Sequence, residues 1–213
     1  SGPKAGACRS RRWHGRALGI RMLGPNCLGV MRPEIGLNAT FARTPARPGS
    51  VALVSQSGAV VAALLDYAWT SGFGFSSVVS TGGGSDIEFS EILDFLALDA
   101  ATRSIVLYVE GVHDARAFMS SVRAAASVKP VVVLKVGRHM AGQKAAMSHT
   151  GAMVGDDGVF DVALRRAGAI RVQAFNQTFA AAEARHGSLE AYADQALGVD
   201  DAARARMVER LVE

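Results

Sequence analysis

Two cysteines in 213 residues, Cys8 and Cys27, lie far apart and form no C-x-x-C pair. That excludes a disulfide framework and a thiolate metal site, and it fits a reducing compartment. No apolar run approaches the roughly eighteen residues needed to cross a bilayer. The best candidate, "VALVSQSGAVVAALL", is interrupted by Ser55, Gln56, Ser57 and Gly58. The N-terminus has no apolar segment followed by a small-residue cleavage site, so it does not read as a secretory signal. A soluble, cytoplasmic protein without membrane contact is expected. Acids are nearly missing from residues 1 to 47, where nine Lys or Arg face the single acid Glu34. The rest of the chain holds fourteen bases against eighteen acids, so the net charge of +4 reflects a local excess. Such an arm suits phosphates or plain solvation. No aromatic interleaving, zinc spacing or recognition-helix pattern accompanies it, and no nucleic-acid partner is expected. Nor do His113, His139 and His186 show ligand spacing relative to His149, so no metal site is expected.

What is present is regular. With 49% hydrophobic and 20% charged residues, the chain can bury one sizeable core. From about residue 50, short β-branched runs bounded by Gly, Ser or Pro alternate with helical stretches. The runs are "SVALVS", "SSVVST", "SIVLYVEG" and "PVVVLKVG", all of the kind that forms buried parallel strands. Between them lie "GAVVAALLDYAWTSG", "DIEFSEILDFLALD" and "DARAFMSSVRAAASV"; a fourth helix, "DDGVFDVALRRAG", and a last strand, "AIRV", follow. In the second helix Ile87, Ile92, Phe95 and Leu96 form the expected apolar face, opposite Glu88, Glu91 and Asp94. Upstream, "RMLGPNCLGV" reads as a short strand ending in a Gly-Pro turn. The order predicts an α/β fold with a doubly wound parallel sheet, followed by a helical tail over 176–213.

In such a sheet ligands collect beyond the carboxyl ends of the strands. "SQSG" follows the first strand of the series, "TGGGSD" the second, "EG" the third and the "SHTGA" loop the fourth. Ser55, Gln56, Ser57 and Gly58 open a helix whose free amides suit an oxyanion; the same pattern is also that of an ordinary serine cap. Glu110 ends an otherwise apolar strand, where it could orient an imidazole or simply emerge into water. His149 stands among small residues and glycines, a pliable setting for a titratable ring, and equally that of an exposed loop histidine. Asn26 and Cys27 tip a rigid turn. Gly82 and Gly83 permit close backbone approach, to a ligand or within a turn.

Taken together, "GPNCLG", "LVSQSGA", "YVEG" and "SHTGA", in that order over residues 21–175, resemble the nucleoside-diphosphate-forming acyl-CoA synthetases. These are relatives of the succinyl-CoA synthetase alpha subunit and include ADP-forming acetate–CoA ligase. The phrases "RPEIGLNATFA" and "AAMSHTGA" look closest to bacterial proteins that fuse this ligase to a protein lysine acetyltransferase domain. The resemblance implies a flavodoxin-like domain that interconverts acyl-CoA, ADP and phosphate with carboxylate, CoA and ATP through an acyl phosphate and a phosphohistidine. It makes His149 the nucleophile and Glu110 its orienting carboxylate. Ser55, Gln56, Ser57 and Gly58 become phosphate-binding, while Asn26, Cys27, Gly82 and Gly83 face the acyl group and CoA. It also implies that Mg-ADP or Mg-ATP binds an ATP-grasp domain or subunit outside this chain, alongside a CoA-binding domain. Residues 1–20, too few and too polar for that domain, read as an atypical basic arm and a possible remnant of it. Many relatives carry "GN" where this chain has Gly82, Gly83 and Gly84. The competing expectation is a ligase-like module that senses acyl-CoA for a fused acetyltransferase.

Overall fold

The computed structural model describes residues 17–72, 74–136 and 157–172. Residues 1–16 of the basic arm over 1–20, the His149 loop and the tail over 176–213 lie outside the described residues. Seven strands of the described residues form one sheet: β1 (Gly29–Arg32), β2 (Leu37–Thr40), β3 (Pro48–Ser55), β4 (Phe75–Ser80), β5 (Ser104–Val109), β6 (Val131–Lys135) and β7 (Ile170–Val172). Four helices connect them: α1 (Gly58–Ser71), α2 (Phe89–Leu98), α3 (Ala115–Ala126) and α4 (Asp157–Arg166). The sheet order is β2-β1-β4-β3-β5-β6-β7. Strands β4, β3, β5, β6 and β7 are mutually parallel, as the βα alternation predicts.

The strands are apolar on both sides because both faces are covered, and the period of two sorts their residues. Val51 and Leu53 of β3, Val106 of β5, and Val132 and Leu134 of β6 join one cluster, to which α1 contributes Val61, Leu64, Leu65 and Ala68. The intervening Ala52, Val54, Ile105, Leu107, Val131 and Val133 join the other, with α2, α3 and α4. On the second face Phe89 meets Phe118 edge to face, and Phe118 stacks on Phe160, joining three helices through one aromatic row.

Three features differ from the sequence reading. The sheet is mixed: β1 pairs antiparallel with both β2 and β4, adding a hairpin at one edge. The strand near the Gly-Pro turn begins after it, at Gly29, and the hairpin turns through a 3-10 helix, Pro33–Ile35. Strand β2 is largely exposed, so it lacks the apolar signature by which the other strands are recognised. Helix α2 begins at Phe89 rather than at Asp86, because Asp86 is engaged elsewhere: its carboxylate accepts from the Met22 amide at 2.8 Å and pairs with Arg21 at 3.2 Å. The buried face of α2 is Phe89, Ile92, Leu93 and Leu96; Phe95 points outward, 57% exposed, under the Arg32 guanidinium at 5.3 Å.

Candidate functional site

Strand β3 feeds β4 on one side and is flanked by β5 on the other. The chain therefore reverses direction across the sheet at the β3–β5 junction, the position where an open α/β sheet leaves a crevice beyond its carboxyl ends. The loops bordering this junction are Ser55–Ser57 and Glu110–Gly111.

Ser55 shapes the first loop. Its buried hydroxyl donates to the Ser57 carbonyl at 2.9 Å and accepts from the Ser57 amide at 3.1 Å, holding the tight bend from strand to helix. Ser57 is the N-cap of α1, its side chain accepting from the Val60 amide. The Gly58 and Ala59 amides come next, in the first turn, where no helical carbonyl can reach them. Gly58 is half-buried and Ala59 exposed, and the positive end of the dipole of this fourteen-residue helix lies at this turn. Gly58 also packs on Leu28, where an added Cβ would lie 3.4 Å from the Leu28 Cβ.

Gln56 bridges the two loops. It is 3% exposed, its Oε1 accepts from the amides of Glu110 at 2.6 Å and Gly111 at 3.0 Å, and its Nε2 donates to the Gly111 carbonyl at 2.8 Å. Its own amide donates to the Tyr108 carbonyl at 3.2 Å. Gln56, expected among the phosphate-binding residues, thus spends its side chain on the backbone of the Glu110 loop. Glu110 itself is 9% exposed at the end of β5. Burial pushes the Tyr108 phenol above its ordinary value, and the Glu110 carboxylate pushes it the same way, so Tyr108 stays neutral beside that charge.

The GPNC turn and the TGGGSD loop, read separately from sequence, are docked on each other. The Gly83 amide donates to the Pro25 carbonyl at 2.8 Å, the Ser85 amide to Gly24 at 2.9 Å and the Leu28 amide to the Ser80 hydroxyl at 3.0 Å. Asn26 holds φ 56° at the turn tip, and the Cys27 thiol, a free cysteine, donates to the Leu23 carbonyl at 3.5 Å. Gly82 has φ 54°, and a Cβ there would sit 2.3 Å from the Pro25 carbonyl oxygen. Glycine is therefore required for the contact itself. The Thr81 amide donates to the Ser55 carbonyl at 2.8 Å, tying this pair of turns to the α1 entrance.

Between the ends of β3, β4 and β5 lies a small open cleft, lined by Gln56, Thr81, Gly84, Gly111, His113 and Phe118 among others. The Thr81 hydroxyl, buried there, is the only fully buried side-chain polar atom among the described residues without a hydrogen-bond partner. Two further residues went unnoticed in the sequence. Lys135 closes β6 with its ammonium buried, and Ser80 receives the GPNC turn; only Lys135, a lone charge ending "VVVLK", left a visible signal. Among the described residues no three His, Cys, Asp or Glu side chains gather as a metal site, and no helix is long and apolar enough to cross a membrane.

The chain matches the family described as succinyl-CoA ligase like flavodoxin domain over residues 48–185. It belongs to that family. Within the family it is 45% identical over 158 residues to an acetate–CoA ligase [ADP-forming] of Methanocaldococcus jannaschii, covering 74% of this chain and 22% of that protein. It is 42% identical over 164 residues to the alpha subunit of acetate–CoA ligase [ADP-forming] I of Pyrococcus furiosus, covering 77% and 36%. The structure of a dinucleotide forming acetyl-coenzyme A synthetase 1 from Ca. Korarchaeum cryptofilum, in complex with phosphate and ADP, superposes with a TM-score of 0.75 at 33% identity, over 80% of this chain and 38% of that one. This succinyl-CoA ligase like flavodoxin domain thus spans between about a fifth and two fifths of the relatives it matches.

Proposed function

We propose that this chain is the phosphohistidine domain of an ADP-forming acyl-CoA ligase of the acetate–CoA ligase type. The observation that carries the reading is the junction of β3 and β5. There one buried side chain, Gln56, locks the Glu110 loop to the entrance of α1. In this reading the Glu110 carboxylate would orient the imidazole and the α1 N-terminus would stabilise the transferred oxygens, the two tasks that phosphoryl transfer through an imidazole requires.

In this reading inorganic phosphate attacks the acyl-CoA thioester carbonyl and expels CoA thiolate, giving an acyl phosphate. A neutral nitrogen of His149 attacks the phosphorus and releases the carboxylate. The phosphohistidine then donates its phosphoryl group to ADP and regenerates the free imidazole. Glu110 would accept from one ring nitrogen and leave the other free to attack, and the Gly58 and Ala59 amides would face the transferred oxygens. Asn26, Cys27, Gly82 and Gly83 would border the acyl group and CoA. Their side of the site is one docked unit, which favours that assignment. Mg-ADP or Mg-ATP would bind an ATP-grasp domain or subunit, and a CoA-binding domain would complete the assembly, in keeping with the larger size of the relatives. The chain would work in the cytoplasm, where these metabolites reside. The acyl-CoA-sensing alternative draws no support from the relatives named above.

The test is incubation of the parent protein, or of this chain with its ATP-grasp partner, with labelled ATP. An acid-labile label lost in His149→Ala supports the proposal, and equal labelling of the variant rules it out.

A further inference from the structure

Both backbone polar groups of Glu110 are held by buried side chains from the strands on either side. Just beyond the end of β3, the Gln56 amide oxygen accepts from the Glu110 N–H at 2.6 Å. From β6, the Lys135 ammonium donates to the Glu110 carbonyl at 2.8 Å and to the Val136 carbonyl. Lys135 is 7% exposed, and its Nζ stands 5.7 Å from the centre of the Phe160 ring on α4. Among the described residues it makes no ion pair with a carboxylate. An ammonium in this setting is costly to bury, and a charge kept without a paired anion calls for an explanation beyond stability. Burial holds its pKa below the usual lysine value; Asp157 and Glu110 pull it back upward, and Arg171 opposes them.

The register explains why a lysine serves here. Val109 pairs with Lys135, so the side chain that ends β6 lies beside the peptide that follows β5. A stem of four methylenes brings the ammonium to the Glu110 and Val136 carbonyls just past the paired ends of β5 and β6. Leu or Met would fill the volume and leave the Glu110 carbonyl without its donor.

We propose that Lys135 is a positioning residue, which with Gln56 clamps the Glu110–Gly111 peptide so that the Glu110 carboxylate is presented in a single orientation. Its catalytic consequence rests on the phosphohistidine reading; the clamp itself does not. The experiment compares Lys135→Met and Lys135→Arg with the unaltered protein in two measurements: hydrogen exchange of the Gly111 amide, and the rate of acid-labile labelling from ATP in the presence of the ATP-grasp partner. Lys135→Met keeps the cooperative thermal transition, yet Gly111 exchanges at least tenfold faster and labelling slows at least tenfold with the half-saturating ATP concentration unchanged. Lys135→Arg, which keeps the charge and donors, recovers most of both. Unchanged Gly111 exchange in Lys135→Met overturns the clamp, and unchanged labelling overturns its role in phosphoryl transfer. If the unaltered protein takes no label, the functional reading fails while the exchange measurement still decides the clamp. Should Lys135→Met not fold, Lys135→Leu, which also lacks a donor, is read by the same criteria.

Discussion

Glu110 follows a largely apolar strand with its backbone secured on both sides, so the fold fixes the point from which its side chain departs. Because those anchoring bonds use the backbone, Glu110→Gln leaves them intact. The variant is expected to keep its thermal transition and to slow His149 labelling about tenfold or more, the usual scale for losing a group that orients a reactive imidazole. A lost transition would instead make Glu110 a structural residue. Gly82 gives a contrasting case, in which backbone conformation decides. With φ 54° and a Pro25 carbonyl 2.3 Å from where a Cβ would stand, Gly82→Ala must either strain or undock the GPNC turn. A cost of about 1–3 kcal/mol is expected, seen as a lowered midpoint of thermal unfolding. An unchanged midpoint would show that the two turns are not held together as described.

Among the elements, the hairpin is tied to the parallel core by charge as well as by the β1–β4 ladder. Arg32 of β1 pairs with Asp99 at the end of α2 at 2.6 Å, and Asp99 also accepts from the Thr102 hydroxyl at 2.6 Å. The Arg32 hydrogen bond, with help from Thr102, holds the Asp99 carboxyl below its ordinary value of 3.8. A depressed native pKa means that the unfolded chain binds more protons below that value. The stabilisation is therefore complete above it and is lost as pH falls through the native value. Thermal unfolding followed from neutral pH downward should show Arg32→Leu losing less stability than the unaltered protein in the acid range; parallel curves would contradict the coupling. This hairpin is also where sequence reading stopped. The parallel strands announce themselves because both faces are buried, as in β6, whereas β2 presents three exposed residues in four and has no period to detect. The expected helical stretch starts at Asp86 because nothing local shows that Arg21 and Met22 claim this carboxylate from 65 and 64 residues away. The site divides in the same way. Glycine and serine turns at strand ends were legible as local chemistry, while the long-range partners of Gln56 and Lys135 depend on strand order.

At the scale of the whole molecule, the proposed function makes the described domain one part of a reaction centre completed by other domains. Its crevice lies at the β3–β5 junction, and the segment carrying His149 leaves the sheet from β6, next in line after β5. The chain covers 22% and 36% of two relatives, and under the proposed function the remainder of such an assembly would bind nucleotide and CoA. This chain alone is accordingly expected to show no net acyl-CoA synthesis, and addition of the ATP-grasp partner should restore it. Turnover by the isolated chain would contradict that division of labour. The most direct measurement supplies acyl-CoA and labelled phosphate to the assembled protein without nucleotide and locates the acid-labile phosphoryl group by peptide mass spectrometry. The account predicts that it resides on His149 and is missing from His149→Ala. A label on another residue, or no label while acyl phosphate accumulates, would contradict it.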